Sequence, residues 1–426
     1  MSSILIKNAY IISMKAPISK ADVLIEDGII SSIGDIDSKA DQIIDATGKV
    51  LMPGFVNAHS HIGMSLFRSY KDEVNLDDYF EKIVEPIEEK MTEEDIYNAS
   101  LLSMIEMIKS GTTTFNDIYI RENKVAEAIS KSGMRAYISK CIEGDGEKAD
   151  KEIDEAAELY NNWNNKEDER IKVAIGLRSS TKCSISTITK ASQKARDLNT
   201  FININFLENK NEINKIREEY NKSVIDYIKE GELFRGKSLL SYGVWADEYD
   251  ISELILHDTS IVNCPLSNSK LGTGIADIKL LTENGINCAL GTDGLGTTGT
   301  LDMFEAVKQT LYSQKLLYKD SSAMRVETAL KMATINGAKA LGLEDSIGTI
   351  EVGKKADLII INLQKSYLLP VHDIYSTIAY SVTGRDVETT IIDGKIIMKD
   401  RKILTIDEEE VLENVYESLS NLFSEE

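Results

Sequence analysis

Eight short apolar runs, each separated from the next by a longer amphipathic stretch, are the feature that most restricts how this chain can fold. Apolar runs without polar alternation are typical of parallel strands buried on both faces, whereas the stretches between them have the periodicity of helices. The runs are MPGFVN (52–57), TTFND (113–117), MRAYISK (134–140), IKVAIG (171–176), FININF (201–206), KSLLSY (237–242), SIVNC (260–264) and INCALG (286–291).

Eight strand–helix units predict an α/β fold in which residues 53–347 close into a (β/α)8 TIM barrel. The first of the long amphipathic stretches shows the expected helix signals, with Thr92 as N-cap, Asp95 three residues later and Gly111 at the end. An open doubly wound sheet is the alternative, but no G-x-G-x-x-G follows the first run. A barrel places its chemistry at the C-terminal ends of the strands.

Both ends of the chain have a different texture, with short β-rich runs separated by turns. Asp27-Gly28 lies between two such runs near the N-terminus, and Asp393-Gly394 repeats this hairpin signal near the C-terminus. We therefore expect residues 1–52 and 348–400 to form one small β-domain that brackets the barrel. Residues 401–426 are expected to form a C-terminal helix.

Composition excludes several classes of partner. The formal charge is −22 and no cluster of lysine or arginine stands out, which argues against nucleic acid or an anionic membrane. The N-terminus lacks the features of a signal peptide, and the four cysteines are far apart. A cytoplasmic protein that binds a small molecule is expected, and whether it forms a homo-oligomer stays open.

Two of the four histidines, His59 and His61, directly follow the first apolar run, and Asp293 follows the eighth. The first and last strands of a closed barrel are neighbours, so these three side chains can converge. Two imidazoles and a carboxylate suffice for a catalytic divalent metal. Glu208, which follows the fifth run, is a candidate proton shuttle, although it could equally be an acid at a helix N-terminus.

The chain resembles the amidohydrolase superfamily along essentially its whole length. The segments that carry the resemblance are PGFVNAHSH, EMIKSGTTTFND, CPLSNSKLGTGIA, LGTDG and GTIEVGKKADLIIINL. They are most similar to the chlorohydrolase/cytosine-deaminase-like group, in particular to the 5-methylthioadenosine/S-adenosylhomocysteine deaminases. The resemblance implies a distorted (β/α)8 TIM barrel with a small β-sandwich domain formed by both termini.

The resemblance also implies roles for individual residues. His59, His61 and Asp293 would bind zinc or iron, and Asp293 would in addition take a proton from the attacking water. Glu208 would be the proton shuttle. Glu88, in the segment P-I-E, matches a glutamate that contacts a ribose diol in the nucleoside deaminases.

Four positions depart from the family pattern because they have lost histidine. Asn205 would be a poor replacement for a metal-binding imidazole, since zinc favours nitrogen or thiolate ligands over an amide. Tyr242 stands where the family orients the hydrolytic water, but its ordinary pKa near ~10 makes it a poor base. Arg178 suits an anionic group, and Asn263 replaces a further histidine. The expectation is weak or absent metal binding.

Two functions remain open from the sequence. The first is a metal-dependent hydrolase of the deaminase type, acting on a non-peptide C–N bond of a heterocycle such as an adenosine-like nucleoside. Glu208, Asp293 and Tyr242 would then be its catalytic groups, with Glu88 and Arg178 binding substrate. The second is a catalytically inactive amidohydrolase-fold protein that binds a small molecule or a partner subunit.

Overall fold

The two ends of the chain meet in one nine-stranded sheet in the computed structural model, which describes residues 3–423. Its strands are β1 (Ser3–Ile11), β2 (Ser19–Glu26), β3 (Ile29–Gly34), β4 (Gln42–Asp45), β5 (Lys49–Pro53), β15 (Leu358–Asn362), β16 (Val387–Ile392), β17 (Lys395–Lys399) and β18 (Lys402–Ile403). Their order is β18-β17-β16-β15-β5-β1-β2-β3, with β4 paired to β1. The antiparallel pair of β5 and β15 joins the N-terminal and C-terminal segments. The sheet built from both termini is thereby confirmed.

The two predicted hairpin turns pack against each other. Asp27 and Gly28 have φ values of 48° and 84°, and Asp393 and Gly394 have values of 52° and 68°. Positive φ at both central residues is what a two-residue type I′ turn requires. A Cβ atom on Gly394 would lie 2.4 Å from the Cα of Gly28, so a side chain cannot fit between the turns.

The middle of the chain forms the predicted barrel, in which all neighbouring strands are parallel. Its strands are β6 (Phe55–Ser60), β7 (Thr112–Tyr119), β8 (Arg135–Ile142), β9 (Ile171–Val173), β10 (Ile175–Ser179), β11 (Ile202–Phe206), β12 (Ser238–Tyr242), β13 (Thr259–Asn263) and β14 (Asn287–Leu290). The fourth apolar run divides into β9, which pairs with the first half of β8, and β10, which pairs with its end and with β11.

The barrel nearly closes between β6 and β14 through loop residues. The N–H of Asp293 donates to the carbonyl of His59 at 3.0 Å, and the N–H of Thr292 donates to Oδ1 of Asn57 at 3.0 Å. These bonds bring the ends of the first and last strands together. The sequence-based expectation that His59 and Asp293 are neighbours follows from this closure.

Helices connect the barrel strands and cover them. The α-helices are α1 (Leu76–Tyr79), α2 (Glu85–Glu88), α3 (Glu93–Lys109), α4 (Glu122–Ser132), α5 (Gly146–Trp163), α6 (Lys166–Glu169), α7 (Ile185–Asp197), α8 (Lys210–Tyr220), α9 (Val224–Glu230), α10 (Glu248–Leu254), α11 (Pro265–Leu271), α12 (Ile278–Glu283), α13 (Leu295–Thr298), α14 (Met303–Tyr318), α15 (Val326–Met332), α16 (Ile335–Ala340), α17 (Ile374–Tyr380) and α18 (Glu408–Phe423). A π-helical turn, Phe80–Val84, joins α1 to α2. Short 3-10 turns occur at Ile62–Phe67, Leu233–Arg235, Ser366–Leu368 and Gly384–Asp386.

The first long helix, α3, begins at the predicted cap. The hydroxyl of Thr92 accepts from the N–H of Asp95 at 3.2 Å, while the Asp95 carboxylate accepts from the N–H of Thr92 at 2.8 Å. This reciprocal capping box satisfies two N–H groups that the first turn otherwise leaves without partners. The chain leaves the helix through Gly111, whose φ is 87°.

A buried ion pair ties the barrel to the terminal sheet. At the beginning of β8, the Arg135 guanidinium donates to both carboxylate oxygens of Asp357 at 2.8 and 3.1 Å and to Asp393 at 3.2 Å. The side chains of Arg135 and Asp357 are only 4% and 2% exposed. The pair is bidentate and charge-assisted, which is the geometry that compensates best for burying two charges.

No helix within residues 3–423 is long and apolar enough to cross a membrane. The four cysteines are free thiols. The C-terminal helix α18 occupies Glu408–Phe423 and begins later than the expected residue 401, because Lys402–Ile403 form β18, the last strand of the terminal sheet. Residues 424–426 lie outside the described residues.

The first helical residue of α4, Glu122, makes stability depend on pH. Its side chain is buried, its Oε1 has no hydrogen-bond partner among the described residues, and burial raises its pKa to about 8 from an ordinary value of 4.5. A raised pKa in the folded state contributes stability that is fully present below the unfolded value and is lost as the pH rises through 8.

We therefore expect Glu122→Gln to match the parent protein near pH 4.5 and to be the more stable of the two at pH 9. Each tenfold difference in the acid dissociation constant between the folded and unfolded states corresponds to about 1.4 kcal/mol of stability. Thermal midpoints measured across this range test the expectation, and Glu127→Gln on the exposed face of the same helix is the control. A difference between Glu122→Gln and the parent that does not grow with pH would contradict it.

Candidate metal centre and active site

Most of the residues predicted from the sequence meet in one cavity at the C-terminal end of the barrel. Those that line it are His61, Glu88, Arg178, Asn205, Glu208 and Tyr242. His59 and Asp293 are buried beside them, at 1% and 2% exposure. Asn263 does not line this cavity, because its amide donates to the hydroxyl of Thr310 on α14 at 3.2 Å. Of the other two histidines, His257 stacks on Phe234 with ring centroids 4.6 Å apart, and His372 is exposed.

His59 lies on β6 with one ring nitrogen engaged and the other available. Its Nδ1 is 2.8 Å from the hydroxyl of Ser241, whereas its Nε2 is buried without a partner among residues 3–423. Burial, with a smaller contribution from His61, lowers the pKa of His59 to about 3, so the ring is neutral at physiological pH. A buried polar nitrogen without a partner is costly, which indicates that it serves a ligand.

His61 directs its second nitrogen at a carboxylate. Its Nδ1 is 2.6 Å from the carbonyl of Ile118, and since a carbonyl only accepts, Nδ1 carries the proton. Its Nε2 lies 3.3 Å from Oδ1 of Asp293, and burial lowers the pKa of His61, which favours the neutral ring. A neutral ring presents the Nε2 lone pair to a carboxylate oxygen, an arrangement that a cation between the two atoms would satisfy.

Asp293 is held by donors on both of its oxygens. Oδ2 accepts from the hydroxyls of Tyr242 at 3.0 Å and Ser267 at 2.6 Å, and Oδ1 accepts from the N–H of Gly294 at 2.7 Å. Burial raises the pKa of Asp293, whereas the hydrogen bonds from Ser267 and from the N–H of Gly294 lower it, and the pKa lies below its ordinary value. The carboxylate is therefore charged and fixed in orientation.

The three side chains fit a divalent metal. One ligand atom from each of His59, His61 and Asp293 lies within 4.8 Å of the others. Two imidazole nitrogens and one carboxylate oxygen form a donor set that zinc accepts, and three protein ligands leave a coordination position open, as catalytic zinc sites do. The unpartnered Nε2 of His59 and the facing acceptors of His61 and Asp293 are two independent signs of the same site.

Three residues at or just beyond the ends of barrel strands adopt left-handed backbone conformations here. Leu207, Tyr242 and Asp293 have φ values of 50°, 78° and 71°. Such conformations cost side-chain-bearing residues energy and cluster at functional sites. The turn at Tyr242 brings its hydroxyl to Asp293, and burial raises the pKa of this phenol well above its ordinary value, so at neutral pH it keeps the proton that it donates.

The outer wall of the cavity carries both acids and a cation. Glu88 on α2 is buried and burial raises its pKa, while Tyr119 and Arg178 oppose that effect. Arg178 at the end of β10 lies 3.3 Å from a carboxylate oxygen of Glu85, and its guanidinium stands 5.5 Å from the centre of the Phe80 ring. Arg178 is therefore oriented by two neighbours rather than loosely exposed.

Sequence reasoning missed three polar residues that support this site. Ser241 contacts His59, Ser267 contacts Asp293, and Glu212 is a buried acid behind Glu208. Ser241 carries no signal of its own, since a single serine in an apolar run is common, whereas Ser267 lies in CPLSNSKLGTGIA, one of the segments that carry the family resemblance. In the sequence, Glu212 cannot be distinguished from the acidic residues that commonly occupy the first turn of a helix.

A comparison with protein families matches residues 50–397 to the Amidohydrolase family. The chain belongs to the amidohydrolase family. The resemblance inferred from segments such as PGFVNAHSH, CPLSNSKLGTGIA and LGTDG is thus confirmed, and with it the (β/α)8 barrel fold of this amidohydrolase.

Curated relatives cover almost the whole chain. A 5-methylthioadenosine/S-adenosylhomocysteine deaminase of Thermoanaerobacter pseudethanolicus is 42% identical over 427 residues, covering 99% of each chain. A 5'-deoxyadenosine deaminase of Methanosarcina acetivorans is 38% identical over 419 residues, covering 97% of this chain and 96% of the relative. Among solved structures, an adenosine deaminase from Xanthomonas campestris with bound zinc superposes with a TM-score of 0.95 at 25% identity, covering 99% of each chain.

Proposed function

We propose that this amidohydrolase is a divalent-metal-dependent deaminase of adenosine-like nucleosides whose turnover is slow. The observation that carries the proposal is the approach of Nε2 of His61 to Oδ1 of Asp293 at 3.3 Å, beside the buried Nε2 of His59, which has no partner among residues 3–423. The names of the relatives, which are deaminases of adenosine derivatives, support the substrate class.

The metal would be held by His59, His61 and Asp293, with the amide of Asn205 as a weak fourth ligand. A divalent metal in such a site acts as a Lewis acid that makes water nucleophilic near neutral pH. Ser241 and the carbonyl of Ile118 orient the two imidazoles from behind, a kind of support that raises metal affinity.

The remaining groups would bind the nucleoside and move protons. Glu88 would accept hydrogen bonds from the ribose hydroxyls, and Arg178 would contact an anionic or polar part of the substrate near the outer wall. Glu208 would carry a proton to the departing amino group, which leaves as ammonia while the water oxygen stays on the ring carbon. Asp293 would take the proton of the attacking water.

Slow turnover follows from the surroundings of Asp293. Tyr242 and Ser267 both donate to its Oδ2, which lowers the basicity of the oxygen that would accept a proton. Tyr242 cannot act as a base itself, because its pKa lies well above its ordinary value. A missing acid–base partner typically costs about 10²–10⁴-fold in rate.

The test is ammonia release from adenosine, 5'-deoxyadenosine and 5-methylthioadenosine, measured with added zinc and again with a chelator. We expect slow release that requires the metal and that Asp293→Asn abolishes. Nucleoside binding by calorimetry without any ammonia at saturating zinc would favour the inactive, ligand-binding alternative. Neither binding nor release from any of the three nucleosides would contradict the proposal altogether.

A further inference from the structure

We propose that Glu212 is a positioning residue that fixes the backbone of Glu208 and ties together the loops that follow β10 and β11. The inference rests on the proposed function, because Glu208 is the proton shuttle in it. Glu212 lines the same cavity, yet its carboxylate points at neighbouring protein groups and bonds to them. It therefore acts through Glu208 and the loop at Ser180.

The contacts of Glu212 use both of its carboxylate oxygens. Oε1 accepts from the hydroxyl of Ser180 at 2.5 Å, and Oε2 accepts from the backbone N–H of Glu208 at 3.1 Å. Ser180 is buried, as is Glu212, at 2% and 6% exposure. A buried carboxylate with two good donors is a strong and directional anchor.

The local chain needs such an anchor, because it turns sharply between β11 and α8. Leu207 has a left-handed backbone with φ of 50°, which its branched side chain makes unfavourable. Asn209 caps α8 by accepting from the N–H of Glu212 at 3.1 Å, so the cap places the Glu212 side chain beneath the turn. The Glu212 carboxylate then holds the next N–H of the strained turn, that of Glu208.

The same carboxylate couples two walls of the cavity. Ser180 lies two residues after Arg178, on the loop that follows β10, while Glu208 lies on the loop that follows β11. Burial raises the pKa of Glu212 to about 7, and the hydrogen bonds from Ser180 and the Glu208 backbone oppose that rise. The anchor is therefore a buried acid whose charge these two loops stabilise.

The experiment is a double-mutant cycle on the full-length, zinc-loaded protein with adenosine-type substrates. Glu212→Gln keeps the shape of the side chain but replaces an acceptor oxygen by a donor. We expect it to lower kcat by about 10- to 100-fold through misplacement of Glu208, with KM nearly unchanged. In a Glu208→Gln background the same substitution should have no further effect on kcat. Glu218→Gln, an exposed acid on the same helix, is the matched control and should change nothing.

A second measurement keeps the inference separate from the proposed function. Hydrogen exchange at the backbone amide of Glu208 should accelerate in Glu212→Gln and stay protected in Glu218→Gln. If the parent protein releases no ammonia, the proposed function fails, and unchanged protection of this amide would then overturn the positioning role. Ser180→Ala removes only one contact of Glu212 and should also lower kcat. It replaces Glu212→Gln in the experiment if that variant does not fold. Equal losses of kcat with and without Glu208 would also overturn the inference.

Discussion

Replacing Asn205 and Tyr242 together by histidine should tighten zinc binding by at least about 10- to 100-fold and raise ammonia release by roughly 10²- to 10⁴-fold. Both residues line the cavity together with His61, so imidazoles at these positions would share that cavity with the proposed metal. The histidine at 205 would add a nitrogen ligand where the chain has an amide. The histidine at 242 would release Oδ2 of Asp293 from a permanent donor and supply a base.

Competition with a chelator measures the affinity, and ammonia release from 5-methylthioadenosine measures the rate. Tyr242→Phe is the matched control, because it removes the hydroxyl that donates to Asp293 without adding a ligand. Tight zinc binding by the double variant without deamination would mean that the substrate-binding wall has diverged, with Arg178 the next position to change. No gain in zinc affinity would contradict the placement of the metal among these residues.

Replacing Arg135 by methionine should lower the free energy of unfolding by about 3–5 kcal/mol, because it leaves the Asp357 carboxylate buried without its partner. Arg135 also donates to Asp393, so one substitution removes the ionic connection between β8 and the terminal sheet. Urea unfolding measures the change. Arg325→Met, which removes a pair whose arginine is 79% exposed, should cost no more than about 0.5 kcal/mol. A decrease in the free energy of unfolding smaller than that of Arg325→Met would contradict the stabilising role of the Arg135–Asp357 pair.

The barrel could be predicted because its strands are largely buried and leave eight short runs rich in apolar residues between longer amphipathic stretches. The run at 171–176 shows the limit of that reasoning, since its division into β9 and β10 depends on where each half pairs with β8. Strand pairing depends on contacts between segments that are distant in sequence. The composition of one run therefore does not show where the run divides. The run Leu358–Asn362 is a strand of the terminal domain, as its β-rich texture predicts. Ile360 packs into the core of that sheet and Ile359 into the core that includes the barrel.

The candidate metal ligands could be predicted because two of only four histidines lie at the end of the first barrel strand and Asp293 follows the last. The residues that orient them could not, since Ser241 contacts His59 across 182 positions of sequence. Asn263 is the opposite case. It stands where the family pattern has a histidine, which suggested a position in the cavity, yet its side chain donates to Thr310 instead. The boundaries at residues 52 and 348 stay predictions, as do the roles of the individual site residues.

The affinity and stoichiometry of zinc in untagged protein, purified without chelators and titrated by competition, test the central claim most directly. The account predicts that a single zinc binds per chain, far more weakly than in deaminases that keep their full set of histidines, and that His61→Ala abolishes it. Protein that already holds a full, tightly bound equivalent of zinc and turns over rapidly would contradict the weakened site. No binding at any zinc concentration would contradict the metal centre itself.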